Sequence, residues 1–148
     1  MHIVLVEPEI PHNTGAAGRL ALATGATLHL VKPLGFSLDE KTIRRVGLDY
    51  WKDVDLQVWE SFDELLATQP EARFWFLSTK AKRSAWEISY QANDFLVFGR
   101  ESKGLPGSWL DDRAIRIPMK EGSTRSLNLA TAIAIVLYEA ERQIGEIR

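Results

Sequence analysis

The sequence predicts an α/β fold, a mostly parallel sheet with helices on both faces. Apolar runs of strand length alternate with helix-forming segments along the whole chain. Several of those runs are apolar throughout instead of alternating, which is the pattern of strands buried on both faces. With 148 residues, 45% of them hydrophobic and 26% charged, the chain has the size of one domain that closes a core without cross-links. A single domain over residues 1–148 is therefore expected.

The elements follow in order. His2 to Val6 is a β-branched run and the first strand; Asn13 to Gly25 is a helix with Ala17, Leu20 and Ala21 on its apolar side and a stop at Gly25. Thr27 to Val31 is the second strand, ended by Lys32-Pro33-Leu34-Gly35, and a short helix from Asp39 to Val46 stops before Gly47. A third strand spans Leu56 to Trp59. Ser61-Phe62-Asp63-Glu64 is a capping box, in which Ser61 and Glu64 exchange hydrogen bonds with each other's backbone N–H groups and start a helix through Thr68. Arg73 to Ser78, Asp94 to Phe98 and Ala114 to Ile117 are three more strands. The last helix runs from Asn128 to Ile144, and Leu129 to Tyr138 carries no charge. Such a helix cannot face water over its first three turns. One side packs on the sheet, and a chain this short has little else to cover the other, so a homodimer is expected.

Composition removes several classes of function. Without cysteine there is no disulfide, thiolate zinc site or cysteine nucleophile. The three histidines, His2, His12 and His29, lack metal-ligand spacing, so no metal is expected. No apolar stretch is long enough for a membrane span, and the N-terminus lacks the features of a signal or transit peptide, which points to the cytoplasm. A net charge of -2 argues against a uniformly basic nucleic-acid binder. The basic residues nevertheless cluster: Lys41 with Arg44 and Arg45, Lys80 with Lys82 and Arg83, and Arg100, Lys103, Lys120 and Arg125 beside glycine-rich segments. Among the five tryptophans, Trp59 and Trp75 fall in strands and are assigned to the core. Trp51, Trp86 and Trp109 lie in or near loops; burial is expected of them, with base stacking as the alternative.

Three polar segments are candidates for chemistry. Asn13-Thr14-Gly15-Ala16-Ala17-Gly18-Arg19 is a glycine-bearing turn between strand and helix, able to offer backbone N–H groups to an anion, unless Gly15 and Gly18 serve only helix packing. Phe98 to Pro106, with Gly99, Arg100, Glu101, Ser102, Lys103 and Gly104, follows a buried strand, where glycine allows close approach to a bound molecule. Ile117-Pro118-Met119 and Lys120 to Asn128 lead into the last helix, with Ser126 or Asn128 as its cap. The dinucleotide fingerprint G-x-G-x-x-G is absent, which weakens an alternative reading as a nicotinamide-nucleotide enzyme.

Together these segments closely resemble the motifs of the SPOUT methyltransferases, specifically the minimal branch that methylates the ribose of the tRNA wobble nucleotide. The resemblance runs from Glu7-Pro8-Glu9-Ile10-Pro11-His12-Asn13-Thr14-Gly15 with Arg19, through Pro33-Leu34-Gly35-Phe36 and Arg44 to Tyr50, to the last two segments and Tyr138-Glu139. It implies a C-terminal trefoil knot forming a pocket for S-adenosylmethionine. That cofactor would lie among Leu77, Ser78, Thr79, Gly99, Glu101, Ile117, Met119, Ser126 and Leu127. A large side chain at Gly99 is expected to abolish its binding and leave the fold largely intact. The resemblance makes Arg19 the central catalytic residue, with Arg125 and Tyr138 near a dimer-built site, and a tRNA anticodon stem-loop the substrate. A guanidinium stays protonated, so its role would be to stabilise a developing alkoxide and clamp a phosphate. Glu101 is either a base or the partner of Arg100 or Lys103. A catalytically silent RNA-binding dimer of the same fold is the alternative.

Overall fold

The computed structural model describes residues 1–39, 41 and 49–147. Arg44, Arg45 and most of the helix expected over Asp39 to Val46 lie outside them. Seven strands form one sheet: β1 (His2–Val6), β2 (Thr27–Val31), β3 (Leu56–Trp59), β4 (Phe74–Leu77), β5 (Arg83–Ser84), β6 (Phe95–Phe98) and β7 (Ala114–Arg116). Their order across the sheet is β3-β2-β1-β6-β4-β7-β5, and every pairing is parallel. Among the described residues three helices cover it: α1 (Pro11–Thr24), α2 (Phe62–Thr68) and α3 (Leu129–Ile144).

The uninterrupted apolar strands feed two cores. In β1, Ile3 and Leu5 join the cluster under α1 and α3, with Ala17, Ala21, Ile133, Val136 and Leu137. Val4 and Val6 point the other way, into a cluster with Phe62 and Leu65 of α2. The same alternation splits β6, Leu96 and Phe98 against Phe95 and Val97. Period two on a sheet covered on both faces leaves little room for polar residues, which is why the runs are almost wholly apolar.

Helix ends differ from expectation in two places. α1 starts at Pro11, two residues before Asn13, because proline is suited to the first helical position and the residue ahead of it, Ile10, is not a capping type. The segment read as a glycine turn, residues 13–19, therefore lies inside the helix. The Ser61 hydroxyl accepts from Glu64 N at 3.1 Å as expected, but the Glu64 carboxylate takes the N–H of Glu60 instead of that of Ser61, at 2.9 Å. α3 ends as expected of its sequence, with Gly145 in the left-handed region at φ 72°.

Trp59 and Trp75 are half-buried and pack against the two cores, Trp59 from the edge strand β3 and Trp75 from the inner strand β4. Trp75 donates to Asp94 at 2.9 Å, and the guanidinium groups of Arg73 and Arg83 lie 5.2 and 5.6 Å from its ring. Trp51 packs against Gly18 and Trp109 stacks on Phe62 at 4.6 Å, so both are packed as expected, whereas Trp86 is 48% exposed. Among the described residues no group of His, Asp and Glu is arranged to hold a metal ion, and no helix is long and apolar enough to cross a membrane.

His29 is buried, and its ring joins a chain of nitrogen contacts. Trp59 Nε1 donates to His29 Nδ1 at 3.1 Å, which leaves the His29 proton on Nε2, 2.9 Å from His2 Nδ1. A further proton on His29 Nδ1 would set two N–H donors against each other. Burial, reinforced for His2 by the N-terminal charge and for His29 by His2, lowers both rings from 6.5 to about 4. The unfolded chain thus binds more protons than the folded one between those values, so the stability gained by keeping the rings neutral is complete above pH 6.5 and lost as the pH falls toward 4. Two excess protons set an upper slope of about 2.7 kcal/mol per pH unit. Urea unfolding of wild type and His2→Gln from pH 7.5 to pH 4.5, roughly the window of a histidine with a lowered pKa, should show a shallower acid loss in the variant; equal slopes would remove this account.

Candidate functional site

The strand order reverses between β1 and β6. From β1 the chain winds through β2 to β3 on one side, while the other four strands lie on the far side. After β1 the chain enters α1 on one face; after β6 it leads to Leu105 and Trp109 in the core of the other face. Parallel strands whose following segments part in this way leave a crevice at their carboxyl ends.

Two carboxylates bridge that crevice. Glu101, on the segment after β6, accepts from Glu9 N at 2.9 Å, Ile10 N at 2.8 Å and Asn13 Nδ2 at 3.2 Å. In the opposite direction Glu9 accepts from Ser102 N at 2.9 Å and Ser102 Oγ at 2.8 Å. The Ser102 backbone and hydroxyl donors, ahead of the nearby Arg100 and Lys103 charges, hold the Glu9 carboxyl below its ordinary range. Asn13 extends the network to α3: its Oδ1 accepts from Asn128 Nδ2 at 3.3 Å, while Asn128 Oδ1 caps the helix through Ala130 N and Thr131 N. Glu101 is thus neither an ion-pair partner of Arg100 or Lys103 nor a free base. The chain reaches this arrangement through Glu7, whose φ of 52° is in the left-handed region, and Gly35, where a Cβ would lie 2.8 Å from Glu9 Cα.

Beside the bridge opens a cavity of about 700 Å³. All nine residues that the resemblance assigns to the cofactor line it: Leu77, Ser78, Thr79, Gly99, Glu101, Ile117, Met119, Ser126 and Leu127. Arg125 lines it too, as do Lys80, Asn13 and Ile10. Asn13, Asn128, Glu9 and Ser102 carry the bridging network, and of these sequence reasoning had offered Asn128 only as a cap. Their signal lay in the quoted motifs, but not in any spacing.

Arg19 and Tyr138 are elsewhere. Arg19 is exposed on α1, its guanidinium 5.0 Å from the centre of the Tyr50 ring, and the Tyr50 hydroxyl donates to Gly15 O at 3.0 Å. Burial pushes the Tyr50 phenol up, and the Arg19 charge offsets part of that. Tyr138 is 42% exposed on α3. At 1.5 Å per helical residue it lies about 15 Å along the axis from Asn128, and Arg19 about 12 Å from Pro11. The cavity end of both helices is therefore distant from both side chains within one chain.

A model of the SpoU rRNA Methylase family matches residues 1–138. The chain belongs to that family. A tRNA (cytidine(34)-2'-O)-methyltransferase of Yersinia pestis is 48% identical over 155 residues, covering 98% of this chain and 94% of that protein. The protein of the same name from Escherichia coli (strain K12) is 44% identical over 149 residues, 98% of this chain and 94% of its own length. A structure described as giving structural insights into the 2-OH methylation of C/U34 on tRNA matches with a TM-score of 0.91 at 44% identity, covering 97% of this chain and 95% of that one. Within the wider SpoU family, the methyltransferase AviRb from Streptomyces viridochromogenes, solved in complex with the cofactor AdoMet, matches at 26% identity with a TM-score of 0.81 over 97% of this chain and 60% of its own.

The expectation for Gly99 needs correction. A Cβ there would lie 2.2 Å from Gly104 C and 2.3 Å from Leu105 N, so glycine is needed for the 99–104 segment to close on itself, before any ligand is considered. Gly104, by contrast, has open space but a φ of 67°. Gly99→Ala should destabilise the fold by about 3 kcal/mol or more through backbone overlap. Gly104→Ala should cost about 1 to 2 kcal/mol through its left-handed backbone. Urea unfolding of both compares them directly, and a Gly99→Ala protein as stable as wild type would contradict the packing account.

Proposed function

We propose that the chain is a single-domain SPOUT enzyme that transfers a methyl group from S-adenosylmethionine to the ribose 2'-hydroxyl of the wobble nucleotide of a tRNA anticodon, cytidine or modified uridine. The observation that carries this is the cavity at the carboxyl ends of β4, β6 and β7, lined by all nine residues assigned to the cofactor. Family membership and the relatives' names support the reaction and the substrate class. The reading includes the trefoil knot, supported by β7 lying between β4 and β5 and by the way residues 117 to 129 pass the cavity before α3.

The residues present fit the cofactor. The cavity volume is within the range of small-molecule sites, roughly 300–1,000 Å³. Leu77, Ile117, Met119 and Leu127 offer apolar walls to a purine, and Ser78, Thr79 and Ser126 offer polar groups. S-adenosylmethionine supplies an activated methyl group, so the protein has chiefly to align two substrates and manage one proton. Arg19 stabilises the developing alkoxide and clamps the adjoining phosphate, whose oxygen takes the hydroxyl proton. Arg125 and Tyr138 contact the RNA near the reacting ribose.

A homodimer brings these groups together. Supporting it, α3 turns Ile133, Val136 and Leu137 to the sheet and still leaves Tyr138 exposed, and Leu22 of the adjoining α1 is exposed as well. Arg19 and Tyr138 of one copy would then complete the cavity of the other, beside the Lys80 to Arg83 cluster. The cytoplasm is the compartment this function implies.

Calorimetry should detect S-adenosylmethionine or its demethylated product, and sedimentation should find two chains. No binding at millimolar cofactor would leave the silent RNA-binding dimer; a fully active monomer would refute the shared site. Arg19→Ala should slow single-turnover methylation of tRNA by about 10²-fold or more with cofactor affinity nearly unchanged, and Arg19→Lys should rescue it only in part. An Arg19→Ala protein of normal rate would remove Arg19 from the mechanism.

A further inference from the structure

We infer that the edge of the sheet around β5 is a second RNA contact, in which Trp86 stacks on an unpaired base flanking the methylated nucleotide while Lys82 and Arg83 hold its phosphates. Trp86, at 48% exposure, is the most exposed of the large hydrophobic side chains among the described residues. Half of the indole is left in water, where its face is free to stack while its N–H stays solvated. Its position is fixed: the Ser84 hydroxyl accepts from Trp86 N at 3.1 Å, in a 3-10 turn over Ala85–Glu87 whose Ala85 is fully buried.

Charge identifies the occupant. From Ser78 to Glu87 the chain carries Lys80, Lys82 and Arg83, all exposed, against the single acid Glu87. Arg83 is held in place by the Trp75 ring, 5.6 Å away, and by a 3.5 Å contact to Asp112 O. Of the charged groups nearby, Arg73 is engaged with Asp94 at 3.1 Å and Arg113 with Asp111 at 2.8 Å, while the exposed acid Asp112, whose carbonyl Arg83 contacts, offsets part of the Arg83 charge. A platform with one aromatic face and a local excess of cations, Lys80, Lys82 and Arg83 against Glu87 and Asp112, matches single-stranded RNA, which pairs stacking with phosphate contacts.

The platform is continuous with the cavity. Lys80 lines the cavity wall itself. β5 lies parallel to β7 with Ser84 level with Arg116, so the residues that follow each, Ala85 and the cavity-lining Ile117, leave neighbouring strands at the same end of the sheet. A strand of RNA placing a ribose at the cavity therefore passes next over Lys80 and onto this edge.

The inference rests on the tRNA reading above, and the test separates the two. With an anticodon stem-loop RNA as probe, Trp86→Ala should raise the RNA KM and Kd by roughly tenfold or more, the scale of losing one base–aromatic stack. Single-turnover rate at saturating RNA, cofactor affinity and melting temperature should stay at wild-type values, because Trp86 belongs neither to the cavity lining nor to either core cluster. Trp86→Phe should restore most of the affinity, since any aromatic face can stack. Lys82→Ala should lower the slope of log Kd against log salt by about one. Wild-type RNA affinity in both Trp86 variants, with methylation intact, would overturn this inference alone and leave the exposed indole to a protein partner. A wild-type protein that neither binds nor methylates the RNA would overturn both.

Discussion

The opposed pair of carboxylates between the segments after β1 and β6 is the constraint on which the rest of the site depends. A helix leaves its first N–H groups without intrahelical partners, and a side chain at the N-cap normally answers one of them. Ile10 occupies that position and has nothing to offer. Glu101, 91 residues further along, takes the Ile10 N–H together with that of Glu9, placing a negative charge where the helix dipole favours one. The return contact from Ser102 to Glu9 prevents the two segments from sliding past each other. Gly99 and Gly35 are the clearances this closure requires, since side chains at either would meet backbone.

The start of α1, which the sequence offers as an anion site, already holds the protein's own carboxylate. On the proposed reading the cofactor would instead be held by the loops after β4, β6 and β7, where the cavity is. Asn13 then couples this arrangement to α3 through Asn128, so that the walls made by residues 99 to 105 and 125 to 129 are tied to the same helix start. A site whose walls are fixed to one another in this way holds its geometry without help from the ligand.

Strands and their faces were legible in the sequence because burial on both sides forces unbroken apolar runs, and β1, β2 and β6 appear within a residue of their expected bounds. β5 was not, since two residues, Arg83 and Ser84, carry no period. The start of α1 was misplaced because its cap comes from Glu101, a contact with no local trace. The suggestion that Gly18 serves helix packing held, as a Cβ would meet Trp51 at 2.7 Å. The cavity lining was legible as a resemblance of ordered motifs. What those residues do to one another was not: Glu101 looked like a base or an ion-pair partner, and only its distance to the Glu9 and Ile10 N–H groups gives it a different part.

The same contacts reconcile an acidic chain with the polyanionic substrate proposed for it. Charges exposed to solvent act over about 8 to 10 Å at physiological salt, so what an RNA meets is the local population and not the total of -2. Around the cavity at the carboxyl end of the sheet the basic residues Lys80, Arg100, Lys103 and Arg125 gather. Two acids among them, Glu9 and Glu101, are directed at backbone N–H groups and the Ser102 hydroxyl across the crevice. Each of those donors places positive partial charge against the carboxylate, so its field toward an approaching phosphate is reduced while its neighbours' is not. The network that fixes the geometry of the site thus also leaves its mouth electropositive, and two such mouths side by side would reinforce each other.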